Sequence, residues 1–239
     1  MKDEIIQNFW SDIDERLDSL LSDGYVKLPS IKFMSLKNLS DDIHKEMGDK
    51  TFKEFCKPHK EFIEKLKVKK YLTPKLYELA KQKFKFSGTI DDQYHIARKV
   101  EPGNSKEMFR GHFDSHLFTI VFPLSIPEKH TKESNNGALI YFPNIRKHPE
   151  NEIKNLFGKV YYKKYASEKG LKKLGQKTKM KIESFENYEP LLFLGNTFLH
   201  TNYPVDSDCS KYRLTLLAHY FDPSPKYGVG SLLRMIRNR

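Results

Sequence analysis

The sequence predicts a mainly β chain with α, in which a sandwich or barrel core sits behind an N-terminal helical layer. Three observations predict it. Apolar residues recur at intervals of three and four over the first turns of the chain. Beyond about residue 88 the texture changes to short β-branched and aromatic runs, punctuated by Pro, Gly and Asn. The 239 residues, with 38% apolar and 13% aromatic content, are enough to bury one core without cross-links.

The elements follow in order. Residues 4–22, with Ile5, Phe9, Ile13, Leu17 and Leu20 on one stripe, read as an amphipathic helix that Gly24 ends. A short strand is expected at Tyr25 to Leu28, and a short helix from Ser40, its cap, to Met47, with Gly48 as its stop. Asp49 to Val68 reads as largely helical with an interruption near Pro58, and LTPKLYELAKQKFKF continues that character. The β region is written in QYHIARKVEPG, HLFTIVFPLSI, GALIYFP, EPLLFLGNTFLHTN and YRLTLLAHYF. The expected organisation is therefore a helical segment over 1–87, a core over 88–222 and a basic tail over 223–239.

An insertion at 146–181 interrupts the core. It carries twelve Lys or Arg residues against three acids, Glu150, Glu152 and Glu168, and its tyrosines gather at Tyr161, Tyr162 and Tyr165. A long excursion inside a compact domain suggests a charged cover over a site, with Tyr161 and Lys163 as substrate contacts; a solvated helical excursion is the plainer alternative.

Composition narrows the function. Cys56 and Cys209 stand far apart in no ligand-like spacing, which excludes a disulfide framework and zinc-finger chemistry. The acids in MKDEIIQNFW argue against a secretory leader, and no run of 18 apolar residues occurs, so a cytoplasmic setting is expected. The net charge of +11 favours an anionic partner, whether a nucleic acid, a phosphorylated or otherwise anionic small or conjugated substrate, or an acidic membrane surface; a lysine-rich background with no selected ligand is the plainer alternative. The tail GVGSLLRMIRNR suggests packing on the core, with weak contact to a membrane surface as the alternative.

HFDSH, residues 112–116, could be a metal clamp, a proton relay or a polar turn. On a strand, residues two apart share a face, so His112 and Asp114 would present an imidazole and a carboxylate side by side. FLHTN supplies a third group, His200. Two imidazoles and one carboxylate on one face of an octahedron leave three positions open, the arrangement of non-haem Fe(II) oxygenases. A keto-diacid co-substrate would need a fixed cation for its far carboxylate, and a bidentate arginine suits that better than lysine. Thirteen residues after His200, Arg213 alternates with Thr215 along an apolar strand.

HFD, then FLH, then RLT resembles the Fe(II)/2-oxoglutarate-dependent dioxygenases. LLSDGYVKLPSI and SNNGALIYFPN are similar to segments of the phytanoyl-CoA dioxygenase-like branch. The resemblance covers about residues 20–222; Gly195-Asn196 stands where that branch usually has GD, and a DSDCSK excursion lengthens the His200 to Arg213 gap. It implies a double-stranded β-helix (jelly-roll, cupin-like) core and Fe(II) held by His112, Asp114 and His200. It also implies 2-oxoglutarate held by Arg213 and Thr215, with O2 consumed and an unactivated C–H bond hydroxylated. Thr119 is expected near the co-substrate, and His116 near the substrate or behind the metal, with a structural role the plainer alternative for His116. A cupin-like isomerase or hydrolase is the competing class, and an oxygenase acting on nucleic acid a hybrid. Arg213-x-Thr215 argues against the first.

Overall fold

The computed structural model describes residues 3–54, 56–104, 108–128 and 135–224. The basic tail expected to pack on the core or touch a membrane therefore lies almost wholly outside the described residues.

The N-terminal stripe forms two helices rather than one. Helix α1, Asp3–Trp10, buries Ile6, Phe9 and Trp10, and α2, Ile13–Asp23, buries Ile13, Leu17 and Leu20. The chain turns at Ser11 and Asp12, where the Asp12 carboxylate receives the Arg16 guanidinium at 2.6 Å. The Trp10 indole donates to the Leu66 carbonyl at 2.8 Å, which fixes the end of α1 on a later helix. Gly24 ends α2 at φ 81°, a left-handed cap that glycine adopts freely. A Cβ there would also meet the Asn144 side chain at 2.4 Å.

Strand β1, Tyr25–Lys27, follows, then α3, Leu36–Met47. Ser40 lies inside α3 rather than at its start, with its hydroxyl 3.2 Å from that of Tyr212. Two expectations for 49–68 are corrected. Phe52–Glu54 is a strand, β2, and Pro58 begins helix α4, Lys57–Lys65, rather than interrupting one. Proline in a first turn loses nothing, because that N–H has no intrahelical acceptor. Short α5, Val68–Tyr71, and α6, Thr73–Phe84, complete the layer.

The β region comprises β3 (Gln93–Val100), β4 (Phe118–Ser125), β5 (Leu139–Phe142), β6 (Lys181–Glu183), β7 (Leu191–Leu194), β8 (Leu199–Asn202) and β9 (Arg213–Tyr220). Between β5 and β6 the insertion forms α7, Glu152–Lys163, and α8, Glu168–Gly175. All pairings are antiparallel: a six-stranded sheet in the order β1-β7-β4-β9-β3-β2 and a three-stranded sheet in the order β6-β5-β8. The chain is a mixed α and β protein, and helices claim more of the described residues than strands, which corrects the expectation of a mainly β chain.

Alternation along the strands divides the interior in two. Phe118, Ile120 and Phe122 of β4, with Leu214, Leu216 and Tyr220 of β9, join the N-terminal helices in one cluster behind the large sheet. Val121, Leu191 and Phe193 point the other way and meet Leu139, Tyr141 and Phe198 between the sheets. Leu171 and Leu174 of α8 cover the small sheet's outer face through Ile140, Phe142 and Leu199. The large sheet is thus buried on both faces along β4 and β9, leaving its inner face dry enough for a polar site to matter.

Candidate metal centre

The ligand-bearing atoms of His112, Asp114 and His200 lie within 4.8 Å of one another. His200 sits on β8, in the small sheet. His112 joins that strand's free edge through one isolated antiparallel bridge, exchanging backbone hydrogen bonds with His200 at 3.0 and 3.1 Å. The expected strand through 112–116 does not continue past this bridge; the chain bends at Ser115 and His116 before β4. Asp114 Oδ1 stands 3.9 Å from both His112 Nε2 and His200 Nε2.

Hydrogen bonds set the direction of each group. His112 Nδ1 donates to the Arg110 carbonyl at 3.0 Å, and His200 Nδ1 to the Phe198 carbonyl at 3.3 Å. A carbonyl can only accept, so both protons sit on Nδ1 and both Nε2 lone pairs face the shared space. Thr119, on β4, donates to Asp114 Oδ2 at 2.6 Å and receives His219 Nδ1 at 2.9 Å. This chain, His219 to Thr119 to Asp114, leaves Oδ1 free toward the imidazoles. Gly195 is required beside it: a Cβ there would meet the His116 carbonyl oxygen at 2.3 Å and Asp114 Cβ at 2.9 Å.

Charge follows burial. Burial alone would raise the Asp114 pKa, but His200, His219, His112 and the Thr119 hydroxyl outweigh it and hold the carboxyl well below its usual range. Burial, with His112 beside it, pushes His200 down to about 3 against the pull of Asp114. A neutral imidazole is the form that binds a metal. The donor set of two imidazole nitrogens and one carboxylate oxygen suits a divalent transition ion such as Fe(II).

Arg213 opens β9 on the inner face, shared with Thr215, Leu217 and His219. It is 5% exposed, and among the described residues its guanidinium has no hydrogen-bond or ion-pair partner. Burial and the neighbouring Arg98 lower its pKa to about 9. A buried cation without an anion is costly, so the arrangement calls for an anionic ligand. Thr215, also buried, pairs with Arg98 and Pro123 across the two neighbouring strands.

The structure places the remaining expected residues as follows. Thr119 supports the Asp114 carboxylate. His116 stacks on His219 with ring centroids 5.1 Å apart, and Tyr94 lies parallel to it at 5.9 Å, so a small ring stack flanks the cluster. Tyr161 and Lys163 are exposed on α7, and no hydrogen bond, ion pair or ring contact links them to His112, Asp114 or His200. The α7 residues that reach the HFDSH segment are their neighbours. Lys159 donates to the Ser115 hydroxyl at 3.2 Å, and the Tyr162 ring meets Phe113 edge-on at 5.3 Å. Arg146 lies over the other side of Phe113 at 3.9 Å. Sequence reasoning missed Lys159 and Tyr162, though their four- and three-residue offsets from Asn155 and Lys159 mark an inward helix face.

Asn196 is 1% exposed with neither atom of its side-chain amide bonded. It lines a cavity of about 1230 Å³ together with Phe84, Phe86, His148, Asn155 and Asp222, beside the metal cluster but not including it.

No protein-family model and no curated protein sequence matches the chain. Solved structures do resemble it. A prolyl 4-hydroxylase of Phytophthora capsici aligns with TM-score 0.55 and 13% identity over 98% of this chain and 72% of that one. The non-heme alpha ketoglutarate dependent carbocyclase SnoK of nogalamycin biosynthesis aligns with TM-score 0.53 and 11% identity, covering 92% and 89%. A Trichoplax adhaerens prolyl hydroxylase, solved with a hypoxia inducible factor peptide, gives 0.50 and 12% over 93% and 94%. At these identities the likeness is one of fold. Among the described residues no helix is long and apolar enough to cross a membrane.

Proposed function

We propose that the protein is an Fe(II)- and 2-oxoglutarate-dependent oxygenase that hydroxylates an unactivated C–H bond of a small or conjugated anionic substrate. One observation carries this reading: three metal-binding groups converge beside Thr119 and His219 of the large sheet's inner face, which also bears Arg213, buried and without an anion among the described residues. In this reading the paired sheets are a double-stranded β-helix. The phytanoyl-CoA dioxygenase-like branch is supported by LLSDGYVKLPSI and SNNGALIYFPN.

His112, Asp114 and His200 hold the metal, each pre-aimed by the hydrogen bond on its far side. Arg213 and Thr215 receive the far carboxylate of the co-substrate, and among the described residues Arg213 has no other partner to occupy its donors. When bound, iron and 2-oxoglutarate supply the oxidising power, consuming O2 and releasing succinate and CO2. The apolar walls, Val121, Phe193 and Leu217, exclude water from the face on which these groups meet. His116 and Tyr94 offer a flat ring surface beside the metal on which a substrate can rest. The lysines of 146–181 favour capture of an anion.

Anaerobic addition of Fe(II) and 2-oxoglutarate tests the reading. A weak visible charge-transfer absorption is expected, and Asp114→Ala and Arg213→Ala should each abolish it. Its absence from the unmodified protein with Fe(II) bound would overturn the co-substrate assignment.

A further inference from the structure

Helix α7 alone among the described helices has no buried residue, yet it is amphipathic. Its inner face is settled by contacts. The Asn155 side-chain oxygen accepts from Arg146 at 2.7 Å, and Gly158 backs onto Arg146, where a Cβ would meet Nη1 at 2.2 Å. Lys159 reaches Ser115, and the Tyr162 hydroxyl donates to the Ile145 carbonyl at 2.8 Å.

The opposite face carries Ile153, Leu156, Phe157, Val160 and Tyr161, the repeat that ordinarily packs into a core. Here it packs into no hydrophobic core cluster among the described residues and is left largely exposed. Ile153 is 63% exposed, Phe157 71% and Val160 61%. Five large apolar side chains on one helix face exceed the scattered exposure that any surface shows. Lysines border the stripe: Lys154 on one side, Lys163 on the other, and Lys164 at its end, with its ammonium 3.6 Å from the centre of the Tyr161 ring. Exposed Lys169, Lys172, Lys173 and Lys177 continue the positive field along α8 and the turn after it.

We propose that α7 docks the protein on an anionic lipid surface, with Ile153, Phe157 and Val160 sunk among the acyl chains and the bordering lysines at the headgroups. An apolar stripe edged by lysine is the pattern of helices that lie in a membrane interface. The twelve-to-three excess of basic over acidic residues across 146–181 supplies the charge complementarity that an acidic bilayer rewards. A protein partner would have to be both acidic and apolar over the same strip. Since α7 is bonded to Ser115 and packed on Phe113, docking would set the candidate metal loop next to the bilayer.

The test is co-sedimentation of the full chain with vesicles of phosphatidylcholine alone and of phosphatidylcholine mixed with phosphatidylglycerol. Binding only to the mixed vesicles is expected, falling at least about tenfold in F157S/V160S, because each side chain's burial contributes that much or more. Phe157→Trp should add a fluorescence component that shifts to the blue on the mixed vesicles. No binding to the mixed vesicles, or equal binding by F157S/V160S, which would mean adsorption through net charge alone, overturns the proposal. So does lipid-free self-association that F157S/V160S removes, which would make a second copy the occupant. No turnover is needed, so the outcome is independent of the oxygenase reading.

Discussion

Thr119 holds Asp114 by a single 2.6 Å hydrogen bond to Oδ2, and so decides which carboxylate oxygen faces the two imidazoles. His219 completes the line from behind at 2.9 Å. In Thr119→Val the carboxylate is free to rotate while side-chain size is kept. Fe(II) affinity should drop about 10- to 100-fold, as removal of a ligand's outer hydrogen bond typically does. Anaerobic calorimetry with Fe(II), or with Co(II) as a stable stand-in, measures it; unchanged affinity would show that Asp114 needs no such support.

Arg213 separates ligand binding from stability. Its buried guanidinium has no partner among the described residues, so Arg213→Met should leave the metal-free protein as stable as before or about 1 kcal/mol more so. The same change should weaken 2-oxoglutarate binding by about 100-fold. Thermal melts with and without the keto acid show both effects: a ligand-dependent rise in the unmodified protein and none in the variant. Strong destabilisation of the ligand-free variant would mean that Arg213 is a structural residue.

Gly195 is a packing requirement of the metal loop. Alanine there would press on the His116 carbonyl and on Asp114, both closer than a methyl group tolerates. Gly195→Ala should cost about 1–3 kcal/mol in a denaturant titration, as overpacking does, and should lower metal affinity as well. Retention of both values would show that the 111–117 segment moves aside without consequence.

His59 on α4 is 1% exposed, and neither ring nitrogen has a hydrogen-bond partner. Burial, with His95 and His219 nearby, lowers its pKa to about 3, and burial takes His95 to about 4. Both values lie below the ordinary 6.5, so the unfolded chain takes up these protons first as pH falls. Stability is therefore full above about pH 6.5 and declines toward pH 3. His59→Phe removes one of these groups and should shrink the loss of stability between about pH 7.5 and about pH 5. Denaturant midpoints at the two pH values measure it, and an identical loss in both proteins would contradict the assignment.

The metal cluster was legible because its chemistry is local in sequence: an HxD pair, a histidine five residues after a glycine, and an arginine in an apolar strand. The long strands β3, β4 and β9 were legible for the same reason, their period being short and strong. What escaped depends on tertiary contact. The break between α1 and α2 at Ser11 is fixed by Trp10 reaching Leu66, 56 residues away. Strands β2 and β6, three residues each, exist because a partner edge accepts them, Ile96 to Arg98 for β2 and Leu139 to Tyr141 for β6. Tyr161 and Lys163 were singled out by residue type, whereas the helix phase turns Lys159 and Tyr162 inward instead. Thr119 was expected at the co-substrate, but only the fold shows its hydroxyl committed to Asp114.

The two histidines of the cluster each direct their outer proton to a carbonyl two positions earlier in the chain, Arg110 for His112 and Phe198 for His200. Each imidazole therefore carries its own alignment within a tripeptide. Only the carboxylate borrows its orientation from a separate element, the following strand β4, through Thr119. Grafted onto another β scaffold, the His-bearing tripeptides should keep their tautomers, and the designer's burden would fall on recreating a hydroxyl opposite the aspartate.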